Sequence, residues 1–134
     1  MVGIAVSQAT NYTLSLQQGA ATVLRLTYTD KATETPIDLT GYEARLQIRR
    51  SYQDSTADLE LLSTDGEITI DGPNGEIEAT FPKDKVNALE TNNTEIEDWV
   101  WGLQIYNPND EETTARMLLS GCVYIYPSPV RDEP

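Results

Sequence analysis

The stretch "PIDLTGYEARLQIRR", residues 36–50, is the most regularly patterned part of the chain. Its second half alternates. Tyr42, Ala44, Leu46 and Ile48 fall on one side of an extended strand, and Glu43, Arg45, Gln47 and Arg49 on the other. Period two is the spacing of a strand with one buried and one wet face. The first half is turn chemistry. Pro36 closes a loop, Asp38 and Thr40 offer side-chain oxygens to the backbone, and Gly41 eases the bend into the strand. Leu39 reads as an apolar plug between them.

The same period repeats along the chain. It places Leu14 with Leu16, and Leu24 with Leu26 and Tyr28. Farther on it groups Leu59 with Leu61, Ile68 with Ile70, and Ile77 with Ala79 and Phe81. It also groups Trp99, Trp101, Leu103 and Ile105, and finally Met117, Leu119, Val123 and Ile125. Turn residues separate the runs at Gln18-Gly19, Asp65-Gly66, "DGPNG" (71–75) and "NPND" (107–110). Short strands at this spacing predict an all-β, antiparallel sandwich or barrel of about seven to nine strands. One segment differs. "PKDKVNALE" (82–90) sets Val86 and Leu89 three apart, which predicts one short helix across an end of the sandwich. With 134 residues and no linker, the expectation is one domain over 1–134. Its arms, 1–9 and 127–134, are expected to dock on neighbours.

Charge narrows the function classes. The net charge is −13. Residues 53–112 hold sixteen of the 22 acidic side chains and only two basic ones. Nucleic acid and anionic membranes both demand a cationic footprint, so neither is an expected partner. No apolar run approaches the roughly 20 residues of a membrane span, and the start lacks the basic n-region of a signal peptide.

No histidine occurs, which removes Ser-His-Asp and Cys-His catalysis and histidine-ligated zinc. Carboxylate pairs remain conceivable, but none is singled out by spacing. The acidic groups Glu95, Glu97 and Asp98, or Asp110, Glu111 and Glu112, lack the spacing of a calcium loop. "DGPNG" lacks the Lys-Ser/Thr of a phosphate loop and joins two strands. No catalytic residue, cofactor or metal is therefore expected, with a calcium-binding module built on loop carboxylates that converge in space as the alternative. Cys122, the sole cysteine, reads as a buried small hydrophobe. Trp99 and Trp101 read as core pillars, with a sugar-stacking platform as the alternative.

The arginines are the separable feature. Arg45 and Arg49 point away from the predicted core, Arg50 ends the strand, and Arg25 is expected on the same outer surface. They have three possible counterparts: the acidic stretch of the same chain, an anionic ligand, or the acidic stretch of another copy joined head to tail. Arg45, Arg49 and Arg50, with Glu95, Glu97 and Asp98, are the candidate interface residues.

"TPIDLTGYEARLQIRR", followed by "ADLELLSTDGEITIDGPNGEIEATFPKDKVNAL", resembles a family of small bacteriophage virion proteins. It is similar to the N-terminal domain of phage upper-baseplate proteins, from about residue 19 to about residue 123. Residues 36–42 (Pro36, Asp38, Leu39, Gly41, Tyr42) and the hairpin over 65–81 carry most of the likeness. The resemblance implies an immunoglobulin-like adaptor in the tail or baseplate of a virion, made in the host cytoplasm. Its partners would be other phage structural proteins and copies of itself in a symmetric assembly. "ETNNTEIEDWVWGLQIYN" is longer and more acidic than the family's equivalent, which implies that loop 90–98 is adapted to a particular neighbour. No receptor-binding domain is expected, since this sequence has no long C-terminal extension. A small adaptor, a tail-fibre attachment protein and a capsid decoration protein are the roles consistent with that.

Overall fold

The computed structural model describes residues 4–6, 8–89 and 97–128. Ten strands are present among them: β1 (Ile4–Val6), β2 (Thr10–Asn11), β3 (Leu14–Gln17), β4 (Thr22–Tyr28), β5 (Glu43–Arg49), β6 (Leu59–Leu62), β7 (Ile68–Asp71), β8 (Glu76–Phe81), β9 (Glu97–Tyr106) and β10 (Arg116–Tyr126). Helix α1 (Lys83–Asn87) lies in the expected place, and a second short helix, α2 (Glu111–Thr114), precedes β10. One sheet has the order β1-β4-β8-β7. The other runs β2-β10-β9-β5-β6, with β3 also on β10. The β4-β8-β7 order facing β6-β5-β9-β10 is that of an immunoglobulin-like sandwich.

The N-terminal run adds short strands to both sheets. β1 pairs in parallel with β4, while β2 and β3 pair in parallel with β10. Every other strand pair among the described residues is antiparallel, as expected. One N-terminal run thus supplies an edge strand to each sheet, β1 of three residues and β2 of two, and such short edges are poor templates for foreign strands. Of arm 1–9, the strand Ile4–Val6 rests on this chain's own β4. Residues 1–3 and 129–134 lie outside the described residues.

Alternation fills the interior. Ala44, Leu46 and Ile48 meet Leu24, Leu26, Ile77, Ala79 and Phe81 in one core with Leu103 and Ile105. Burying each large aliphatic or aromatic side chain contributes about 1.5–3 kcal/mol. Val86 and Leu89 of the α1 region are buried in it too. The Gln18 amide, itself buried, donates to the Val86 and Leu89 carbonyls at 3.2 and 3.1 Å. Helix ends leave such carbonyls without partners, so this side chain closes one sandwich end as a polar cap.

Two expectations about β10 are corrected. A register shift between Met117 and Leu119 turns both Leu118 and Leu119 inward and leaves Met117 exposed. A bulge puts two residues where the partner strand has one, so parity changes there. Cys122 is exposed as well. Val123 and Ile125 point inward, so alternation sends Cys122 out to the solvent face.

The opening stretch is fixed by backbone bonds. Thr29 bridges to Pro36, and Ile37 N donates to Tyr28 O at 2.8 Å. Asp38 Oδ1 accepts from the Thr40 N–H and hydroxyl. Leu39 is 2% exposed, and its N–H donates to Gly72 O at 2.8 Å. Tyr28 N donates to Gly75 O at 2.8 Å. The β4–β5 loop is thus sewn to the turn between β7 and β8. Gly41 takes φ +87°, as its turn role requires. Tyr42, expected within the core, packs against it but stays only partly buried. The first fully inward residue is Ala44.

Gly75 has φ +63°, and a Cβ there would lie 2.5 Å from Ile37 O. Gly75→Ala is therefore expected to lower the unfolding free energy by more than about 1 kcal/mol, read as a lower denaturant midpoint at unchanged slope. The Asp38 carboxyl is held below its ordinary value, first by the Thr40 hydroxyl and then by the Thr40 N–H. A depressed carboxylate adds stability above its unfolded pKa and loses it as pH falls through the folded value. Asp38→Ala should accordingly melt below the parent at neutral pH, and the gap should close in melts run well under the ordinary value of 3.8.

Candidate functional site

Parity along β5 decides what lies outside the six-strand sheet. With Ala44, Leu46 and Ile48 inward, Arg45, Gln47 and Arg49 face out. The register Gln47↔Gly102↔Ser120 carries that face across β9 and β10. Val100, Gln104 and Tyr106 of β9 join it, as do Met117, Cys122 and Tyr124 of β10. A shallow groove of about 240 Å³ lies here, lined by Arg45, Gln47, Arg49, Tyr52, Gly102 and Met117 among others. Its floor is Gly102. A Cβ at Gly102 would come within 2.6 Å of Met117 Cε, so the missing side chain lets the methionine lie down along the sheet.

Among the described residues, the large hydrophobic side chains that are exposed are Tyr52, Met117 and Tyr124, at 75%, 43% and 39%. Tyr52 and Met117 line the groove, and Tyr124 stands on the same face opposite Asp98. Exposed apolar side chains scattered singly mean little, and of these three only Tyr52 and Met117 meet in the groove.

The arginines separate. Arg45 forms an ion pair with Glu111 of α2 at 2.8 Å, and its guanidinium lies 4.3 Å over the Tyr106 ring. Its Nε is buried without a hydrogen-bond partner. Arg49 donates to two uncharged acceptors, Asp54 O at 3.0 Å and Gln47 Oε1 at 2.7 Å. The Gln47 amide in turn donates to Glu60. Arg50 turns away past the end of β5, with its guanidinium 4.7 Å over the Trp99 ring. Arg25, expected on the same surface, is on β4 of the other sheet and pairs with Glu78. Face alternation tells which way Arg25 points, not which sheet carries it.

Of the acidic candidates, Asp98 is exposed at the Arg49 end of the sheet, since Arg49 pairs with Val100. Glu97 lies on the Trp99 side of β9 and accepts from Trp99 Nε1 at 3.4 Å. Glu95 lies outside the described residues. Pro36, Asp38, Leu39, Gly41 and Tyr42 gather at the opposite end, where Glu43 pairs with Tyr106. α2 and its Glu111 partner for Arg45 have no helix-length signal in the sequence. The spacing of Asp110, Glu111, Thr113 and Thr114 is the available clue.

Trp99 and Trp101 are each 3% exposed, and Trp101 Nε1 donates to Tyr12 O at 3.0 Å. They are core pillars, and no stacking platform exists at them. Among the described residues no three carboxylate or thiol groups gather closely enough to hold a metal ion. The groove offers guanidinium, amide and soft apolar contacts, which is the chemistry of recognition.

No family model and no curated protein matches the chain. Among solved structures it is similar to the N-terminal domain of phage TP901-1 ORF48, with a TM-score of 0.55 and 7% identity over 94% of this chain and 99% of that one. The two share a fold. The ASH/PapD-like domain of human CEP192 (PapD-like domain 7) also aligns, with a TM-score of 0.30 and 8% identity, covering 93% of this chain and 84% of that one.

Burial of both tryptophans gives an optical test. The native protein should show blue-shifted emission barely quenched by iodide, with full quenching only after unfolding. Strong native quenching that sugars suppress would reinstate the platform reading.

Proposed function

We propose that this chain is a non-enzymatic structural protein of a phage particle, a tail or baseplate adaptor or fibre-attachment protein acting through protein–protein interfaces. One observation carries the reading. The fold similarity to the N-terminal domain of a phage TP901-1 protein spans nearly the whole of both chains. The resemblance of residues 36–42 and 65–81 to phage upper-baseplate proteins points the same way.

The surface fits such a role. Its candidate face offers recognition chemistry on a rigid sheet, and sheet-borne side chains keep their positions better than loop-borne ones. A charge of −13 disfavours contact with the packaged genome. The partners in this reading are other phage structural proteins, with the virion as the location.

Antibody raised to this chain should decorate the tail tip of purified particles in negative-stain images. Label on the head would assign it to capsid decoration instead. Absence of the chain from purified particles, judged by mass spectrometry, would overturn the virion reading.

A further inference from the structure

We propose that Asn74 is a modification site. Its side-chain amide is lost to attack by the Gly75 backbone nitrogen whenever the β7–β8 turn opens, and the product cannot rebuild the turn. The site belongs to the turn itself and does not depend on the virion reading.

Asn74 is the one asparagine of the chain that a glycine follows. The reaction brings the next residue's nitrogen onto the asparagine Cγ, and glycine, with no Cβ, obstructs that approach least. A bond forms between Gly75 N and Asn74 Cγ, closing a succinimide ring. The bond from Cγ to the side-chain nitrogen breaks, and that nitrogen leaves as ammonia with the proton of the Gly75 amide. Water then opens the ring at either carbonyl. One opening gives aspartate. The other gives isoaspartate, whose backbone runs through the former side chain and is longer by one carbon. One water is consumed and one ammonia released, with no oxidant or cofactor.

The closed turn withholds both reactants. Gly75 N donates to Gly72 O at 3.1 Å, and Asn74 Nδ2 donates to Asp71 Oδ2 at 2.9 Å. Asn74 is exposed but Gly75 is buried, so water reaches the amide while the attacking nitrogen is tied down. Gly75 is held on its other side as well. Its carbonyl accepts from Tyr28 N at 2.8 Å, and a Cβ on it would lie 2.5 Å from Ile37 O. Freeing the nitrogen means parting the turn from the β4–β5 crossover. The rate in the folded chain is then the intrinsic rate multiplied by the fraction of time the turn is open.

Reaction locks the turn out. The extra backbone carbon of isoaspartate displaces Gly75 relative to Gly72, and neither glycine has room to shift. A Cβ on Gly72 would lie 2.8 Å from the Thr40 backbone. Aspartate keeps the chain length but sets a second carboxylate where Asn74 now donates to Asp71, and like charges so close repel. Either product weakens the clamp whose opening let it form.

The full chain is incubated at mildly alkaline pH, folded and in urea, and the peptide carrying Asn74 is followed by mass spectrometry with chromatographic separation of the two products. In urea Asn74 should react ahead of every other asparagine. In the folded chain it should react about tenfold or more slower. Asp38→Ala, which loosens the crossover that braces the turn, should speed the folded-state reaction and leave the rate in urea unchanged. If that variant does not fold, urea below the unfolding transition takes its place and should raise the rate likewise. Asn74→Asp and the aged wild-type fraction should both melt below the parent. Equal rates in the folded chain and in urea would overturn the proposal. So would a folded-state rate that loosening the crossover leaves unchanged, or a modified fraction that melts with the parent.

Discussion

Two backbone hydrogen bonds at one end of the sandwich govern how the rest of the chain is set. Leu39 N reaches Gly72 O, and Tyr28 N reaches Gly75 O. They hold the β4–β5 crossover against the β7–β8 turn while Leu39 seals the core beneath. Where β5 begins is thereby fixed, and with it the parity of every residue along that strand. A slip by one residue would carry Arg45 and Arg49 into the interior and Leu46 and Ile48 into water. The turn glycines are required here, since backbone passes too close to Gly72 and Gly75 for any side chain.

From that parity comes a division between the two sheets. The four-strand sheet turns acidic side chains to solvent, as an ordinary wet surface does. The six-strand sheet mixes its acidic side chains, Glu60 and Asp98 among them, with tyrosine, methionine, a glycine and two arginines held by local partners. Arg45 sits between Glu111 and the Tyr106 ring, and an exposed ion pair of this kind contributes only about 0–1 kcal/mol to folding. Its greater effect is to hold a planar guanidinium still beside the groove.

Period two makes most of this legible in the sequence. It places Trp99, Trp101 and the β5 residues on their correct faces, and the three-residue spacing of Val86 and Leu89 locates α1. It fails where the deciding contact is remote along the chain. Nothing in "ARMLLSGCV" marks the bulge, because it exists only relative to β9. Arg25 shares an outward orientation with Arg45, but the sheet it belongs to is decided by topology. For Cys122, residue type suggests burial, whereas its inward neighbours Val123 and Ile125 already point it outward. Gln18 has turn chemistry written on it, and its burial depends on a helix far along the chain. The groove is the least legible feature, since its floor depends on Met117 lying over Gly102, a contact between two strands.

The parallel pairing of β3 with β10 has a consequence in time. Leu14 lies opposite Val123, and Leu16 opposite Ile125. One of the earliest parts of the chain to be synthesised thus waits for one of the latest. Contacts so distant along the chain make folding slow, because loop closure must precede the contacts that reward it. While β4 to β9 are being made, β3 has no partner and its apolar side chains no shelter. The finished sandwich hides that interval completely: strands made far apart in time lie side by side.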